Sequence, residues 1–192
     1  MERVASFVAV LDACVLYPAS VRDLLLRLAL TDLFRARWTD RIHDEWISAV
    51  LKQRQDLTKA QLERTRQLMN QAVPDCLVTT YESLIDGVVL PDPNDRHVLA
   101  AAIRCQAGFI VTYNLKHFPE EALAPYGIAA QHPDGFVSHL FDLDPGAACA
   151  AVRDQRESLK NPPMSVDDLL NEFLSRELAE TVAQLNTLRD LL

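Results

Sequence analysis

Glycine is scarce in this sequence. The five glycines among 192 residues nowhere form a Gly-rich phosphate loop, which argues against a nucleotide cofactor. The four cysteines, Cys14, Cys76, Cys105 and Cys149, lie far apart without C-x-x-C spacing, and the five histidines show no H-E-x-x-H pattern. These spacings argue against a disulfide scaffold and a zinc site, and free thiols in a reducing cytoplasm are expected. No stretch approaches the ~18 consecutive apolar residues of a membrane span, because Arg27, Asp32, Arg104 and Gln106 interrupt the most apolar regions. The apolar run at residues 4–11 follows Glu2 and stops at Asp12 without a small-residue cleavage pattern, so it reads as a strand rather than a signal segment. Positive charge is also short. Nineteen basic residues face 27 acidic ones, for a net charge of −8, which argues against bulk attraction to nucleic acid or to an anionic membrane.

The charge is unevenly spread. Residues 22–66 hold ten basic against seven acidic residues, while the remainder holds nine against twenty. That stretch is either a local basic face or a pair of solvated amphipathic helices. Hydrophobic residues at 49% and charged residues at 24% suit a globular chain that buries a core, and the length fits one domain with an extension.

The pattern along the chain alternates between helix and strand. Residues 4–11 are apolar on both faces, as in a central parallel strand. Residues 20–34 predict a mostly buried helix, and Thr39 opens a second with Ile42, Trp46, Ala49 and Val50 at helical spacing. Thr58 and Gln61 form a capping-box pattern before a helix over 59–72. Residues 76–79 predict a short strand, and Asp92-Pro93 starts a helix that Gly108 ends before a strand over 109–113. A short helix near Glu120, a weak strand at 128–131 and a helix over 133–141 complete an α/β layer. Beyond Asp144 the pattern becomes two helices, 145–159 and 165–192, separated by Asn161-Pro162-Pro163. We expect a domain at 1–143 and a C-terminal helical extension at 144–192.

Chemistry gathers where strands end. Asp12 follows the first strand and Asn114 follows the 109–113 strand, and in open α/β sheets ligands bind beyond the carboxyl ends of strands. Asp92 and Asp95 in Asp-Pro-x-Asp have a plainer account as helix caps, but capping does not require both. Glu45 lies within a helix beside inward-facing Ile42 and Trp46, where an unpaired carboxylate is costly to bury. Converging carboxylates repel one another, and a hard divalent cation, Mg²⁺ or Mn²⁺, relieves that strain. An aspartate-nucleophile phosphatase would need a second acid two residues after Asp12, and Cys14 stands there.

The segments Val8-Ala9-Val10-Leu11-Asp12-Ala13-Cys14-Val15-Leu16, Thr39 through Glu45, Pro91-Asp92-Pro93-Asn94-Asp95-Arg96-His97-Val98-Leu99-Ala100-Ala101-Ala102 and Ile110-Val111-Thr112-Tyr113-Asn114-Leu115-Lys116-His117-Phe118 carry a resemblance in their order and spacing. The sequence resembles PIN-domain ribonucleases, specifically the VapC-type toxins of bacterial toxin–antitoxin pairs. The resemblance implies a three-layer α/β/α fold with a central parallel sheet, in which Asp12, Glu45 and Asp95 correspond to three members of an acidic quartet and Asn114 stands near the fourth. The chain departs from the family where an additional acid is usual, at Asn114 or His117.

The expected function is a metal-dependent endoribonuclease. Asp12 and Asp95 hold Mg²⁺, for which Mn²⁺ can substitute, Glu45 completes the shell or orients water, and Asn114 supplies a neutral oxygen. Asp92 and Thr112 are additional candidates, and Arg35, Arg37 and Arg41 are candidate phosphate contacts. The expected partners are an RNA substrate, a cognate antitoxin and possible homodimerisation, with no membrane. A nonhydrolytic RNA- or partner-binding domain is the alternative.

Overall fold

The structure, a computed structural model, describes residues 7–192, so the first three positions of the expected 4–11 strand lie outside the described residues. It is the expected three-layer α/β/α fold. Four parallel strands, β1 (Phe7–Leu11), β2 (Phe34–Arg37), β3 (Phe109–Val111) and β4 (Ala129–Gln131), stand in the order β2-β1-β3-β4. Ala9, Val10 and Leu11 are all completely buried, which a strand achieves only when helices cover both faces of its sheet.

Short α1 (Ala13–Leu16) and α2 (Ala19–Leu30) connect β1 to β2, and α3 (Asp40–Gln53) and α4 (Lys59–Ala72) follow β2. The helix α5 (Arg96–Arg104) leads into β3, and α6 (Glu120–Leu123) lies between β3 and β4. Then come α7 (Pro133–Leu143), α8 (Pro145–Ser158), α9 (Val166–Ser175) and α10 (Ala179–Thr187). The Thr58–Gln61 capping box forms as the sequence suggests, and Ser165 with Asp168 makes a second one at α9.

Three expectations are corrected. The 20–34 helix ends at Leu30, and Phe34 through Arg37 form β2, where Phe34 and Ala36 are buried and Arg35 is exposed. This two-residue alternation sits directly behind an apolar helical stripe that masked it. Residues 76–79 make one isolated parallel bridge, Trp38 to Leu77, rather than a strand. The expected 165–192 helix breaks at Arg176-Glu177-Leu178, where Glu177 takes a left-handed φ of 61°.

Packing divides the sheet into an apolar end and a polar one. Phe7, Phe34 and Phe109 are the first residues of their strands and meet Phe136 of α7, with Phe34 and Phe136 edge-on at 5.0 Å between ring centroids. Aromatic rings thus close the amino ends of β1, β2 and β3 and leave the carboxyl ends for polar groups. Buried hydrogen bonds fix α3 beside that polar end. Trp46 Nε1 donates to His43 Nδ1 at 2.9 Å, so the other imidazole nitrogen carries the proton toward Asn70 Oδ1, also at 2.9 Å. Burial holds His43 below its ordinary pKa, in keeping with a neutral ring. The Arg22 guanidinium lies over the Trp46 ring, 4.6 Å from its centroid, and donates to the Leu16 carbonyl at 2.6 Å, tying α1, α2 and α3 together.

Candidate active site

Strand order makes the site. The chain leaves β1 for β2 on one side, whereas β3 continues to β4 on the other, so the adjacent carboxyl ends of β1 and β3 flank a topological switch point. Leu11 pairs with Val111, and the Asp12 N–H donates to the Val111 carbonyl at 3.1 Å, placing Asp12 and Thr112 side by side although 100 positions separate them.

Asp12 is buried, and each of its carboxylate oxygens accepts a hydrogen bond. Oδ1 accepts from the Ala13 N–H at 2.7 Å, capping α1, while Oδ2 accepts from the Thr112 hydroxyl at 2.7 Å and from the Cys14 thiol at 3.0 Å. Thr112 Oγ1 also accepts the Asn114 N–H at 3.0 Å. Burial, and after it the Asp12 charge, pushes the Cys14 thiol up to about 12, so the thiol stays protonated and can donate. Cys14 went unnoticed as a site residue in the sequence. Its signal was its place two residues after Asp12, read there only as the lack of a second acid.

Asp92 and Asp95 divide the roles that their motif leaves open. Asp92 is the cap: its Oδ1 accepts from the Asn94 N–H at 2.9 Å. Asp95 makes no side-chain capping bond at the start of α5 and instead lies 2.7 Å from His117 Nδ1. Its carboxyl is raised above the usual carboxylate value, first by partial burial and also by the charge of Asp12, while the His117 contact pulls the other way. The cleft thus disfavours its own negative charge, which is the electrostatic condition for attracting a cation.

Glu45 projects from α3 into the same region. Its Oε1 lies 2.9 Å from Nε2 of buried His97 and 3.3 Å from Arg41 Nε. The His97 approach is too far off axis to count as a hydrogen bond, leaving both ring nitrogens without an aligned partner. Arg41 also reaches the Asn94 carbonyl at 3.4 Å, bridging α3 to the Asp92–Asp95 turn.

Asp12, Glu45, Asp95 and Asn114 therefore line one open cleft of about 800 Å³, together with Cys14, Tyr17, Arg41 and Lys52. Asp12, Glu45 and Asp95 do not draw together into a tight three-ligand set. Among the described residues, the three groups whose donor atoms come within 4.8 Å of one another are Asp92, Asp95 and His117. Of the three arginines singled out, only Arg41 lines the cleft. Arg37 donates to the carbonyl of Asp75, and Arg35 lies on β2 away from the lining residues. Lys52, on the same helix as Glu45, supplies a cation that the sequence reading passed over.

Asn114 precedes a short 3₁₀ turn without capping it through its side chain, and its φ of −95° makes no demand for asparagine. With the backbone explanation removed, the amide is available to the cleft. On the ribonuclease expectation, in which Asn114 supplies a neutral oxygen, Asn114→Ala should cut turnover at least ~10-fold, about 1.4 kcal/mol of transition-state stabilisation. Asn114→Asp should retain activity. Wild-type rates for both Asn114→Ala and Asn114→Gly on an RNA substrate would return the residue to the loop.

Comparison with known proteins places these features in a family context. A family model described as "PIN domain" matches residues 8–116, and one described as "VapC50 C-terminal domain" matches residues 133–187. A Mycobacterium tuberculosis protein, "Putative ribonuclease VapC50", is 48% identical over 103 residues, 52% of this chain and 61% of that protein. The aligned region thus spans about three fifths of the relative's length. No solved structure matches. Among the described residues no helix is long and apolar enough to cross a membrane.

Proposed function

This chain belongs to the PIN-domain family, and from that premise we propose that it is a divalent-metal-dependent endoribonuclease, the toxin of a toxin–antitoxin pair. One observation carries the reading. Two acids from distant parts of the chain, Asp12 and Asp95, face a single cleft at the sheet's switch point, where burial first, and the Asp12 charge with it, raises the Asp95 carboxyl. The donor set fits a hard cation, because carboxylate oxygens dominate it and neighbouring Asp92 and His117 offer further ligand atoms. Mg²⁺ is the proposed ion, with Mn²⁺ able to substitute. Held by Asp12 and Asp95, it would supply charge neutralisation and a water of lowered pKa.

The remaining roles belong to the chain's own side chains. Thr112 and Ala13 hold the Asp12 carboxylate in one orientation, and His117 does the same for Asp95. Glu45, set between His97 and Arg41, is placed to orient water or complete the ligand set. Arg41 and Lys52 offer positive charge to an RNA backbone along α3, which offsets the unfavourable net charge of the whole chain. We take residues 1–143 as the nuclease unit and 144–192 as its extension. An antitoxin partner rests on the family likeness alone.

The full-length protein, incubated with single-stranded or looped RNA and Mg²⁺ or Mn²⁺, should cleave it, and EDTA should stop the reaction. Cleavage that persists in EDTA removes the metal from the proposal. RNA binding without cleavage under any divalent ion would favour a nonhydrolytic domain, the reading to which Asn114 in place of an acid lends support.

Metal binding has its own readout. Because the acids cluster only when folded, Mg²⁺ or Mn²⁺ should raise Tm, with about 2.7 kcal/mol of stabilisation at a concentration 100 times Kd. An Asp12→Asn/Asp95→Asn double variant should lose the shift. Equal shifts in both proteins would place the ion elsewhere.

A further inference from the structure

Tyr113 stands between two polar residues of the site, yet its side chain leaves the cleft. Its backbone N–H donates to Cys14 Sγ at 3.2 Å, and its neighbours Thr112 and Asn114 are bonded to each other at 3.0 Å. The phenol points to the C-terminal helices, where its hydroxyl donates to the Arg176 carbonyl at 2.8 Å. The ring meets His132 edge-on at 5.0 Å, and His132 Nε2 lies 3.7 Å from Glu177 Oε2.

The acceptor is a fixed point. Arg176 and Glu177 form the break between α9 and α10, and the N–H groups of Arg176, Glu177 and Leu178 return to the carbonyls of Phe173 and Leu174. Leu178 is completely buried, and the Asp134 carboxylate accepts from the N–H groups of Glu180 and Thr181, each at 2.8 Å. A second tie, from Ser20 Oγ to Glu172 Oε1 at 2.8 Å, joins α9 to α2 outside the cleft.

We infer that Tyr113 is a positioning residue through which the C-terminal helices hold the 112–114 turn in register with Asp12. The hydrogen-bond geometry stands without any assigned activity, but the kinetic consequence rests on the ribonuclease reading. The extension then acts as a brace on the site. Loss of the phenol hydroxyl frees the turn on one side only, so Thr112, Cys14 and Asn114 should sample more orientations without losing their chemistry. Turnover should fall while RNA affinity stays, because the cationic groups proposed to bind RNA, Arg41 and Lys52, lie on α3.

The test compares full-length Tyr113→Phe, which keeps the ring, with Ser20→Ala, which cuts the other tie. Amide hydrogen exchange at residues 113 and 114, and kcat and KM for RNA cleavage with Mn²⁺, are the readouts. For Tyr113→Phe we expect about fivefold faster exchange and about fivefold lower kcat, the size of one lost hydrogen bond, with KM within about twofold. Ser20→Ala should lower Tm and leave both readouts at wild-type values. Should Tyr113→Phe fail to fold, His132→Asn preserves a side chain able to cap α7 while deleting the ring against Tyr113, and it should shift exchange and kcat the same way. A folded Tyr113→Phe, or failing that His132→Asn, with only a lowered Tm and wild-type exchange and kcat overturns the brace. If the wild-type protein does not cleave RNA, the ribonuclease reading fails, and exchange at residues 113 and 114 alone decides: wild-type protection in the variant overturns the brace.

Discussion

Asp95→Asn is expected to lower RNA cleavage at least ~100-fold, or about 2.7 kcal/mol in transition-state free energy, without unfolding the chain. Asparagine retains an oxygen for His117 and removes the charge that a cation would require. The metal-free variant should also melt no lower than the wild type at pH 7. The reason lies in the sign of the Asp95 shift. Its folded pKa is raised, so the stability this group contributes is fully present below the unfolded value near ~3.9 and is lost as pH rises through the folded pKa. At neutral pH the wild-type carboxylate is held at a cost that asparagine avoids. Asp12→Asn should lose activity to the same degree, although its stability is less simply predicted, because Thr112 and Cys14 both donate to Oδ2. A folded Asp95→Asn protein that cleaves within tenfold of the wild-type rate removes Asp95 from the chemistry.

The largest stability effect is expected far from the cleft. Asp134→Ala should destabilise the protein by about 3 kcal/mol, read from the urea midpoint at constant m. Asp134 is buried in the first turn of α7, and its carboxylate accepts from the Glu180 N–H, the Thr181 N–H and the Thr181 hydroxyl, each at 2.8 Å. The residue at the α10 N-cap position is Leu178, whose side chain cannot accept a hydrogen bond, so Asp134 satisfies that helix's first amides from another helix. Alanine would leave the buried Thr181 N–H and the part-buried Glu180 N–H without a partner. Asp134→Asn, which retains one acceptor oxygen, should cost about 1 kcal/mol. A loss below ~1 kcal/mol for the alanine variant would show that water readily replaces the carboxylate.

This remote cap also explains why the end of the chain was misread. No glycine or proline marks the 176–178 break, and the carboxylate that starts α10 lies more than forty positions upstream, beyond any local pattern. The β2 strand was lost for a local reason, since its four residues adjoin a long apolar helix. The parallel strands at 7–11 and 109–111 were legible because both faces are buried and their side chains are almost uniformly apolar. Asp12 directly follows β1, whereas Asn114, expected right after a strand ending at 113, lies three residues past β3, which ends at Val111. Cys14 and His117 depend on side-chain geometry around those ends, which spacing alone does not fix. Lys52 lies eleven positions beyond the 35–41 arginines, of which only Arg41 faces the cleft, so charge clustering in the sequence does not point to it.

The pairing of β1 with β3 sets where this chain can change length. Leu11 opposite Val111 puts the Asp12 carboxylate against the Thr112 hydroxyl, and strand side chains alternate faces with every residue. One inserted or deleted residue between positions 9 and 12 would exchange the inward and outward sets of β1 and break that contact. The connection between α8 and α9 carries no such constraint, and doubling its length should cost only about 0.6 kcal/mol in loop-closure entropy. Length variation among functional relatives should therefore accumulate at the helical end and be excluded from the few residues where the first strand meets the acid.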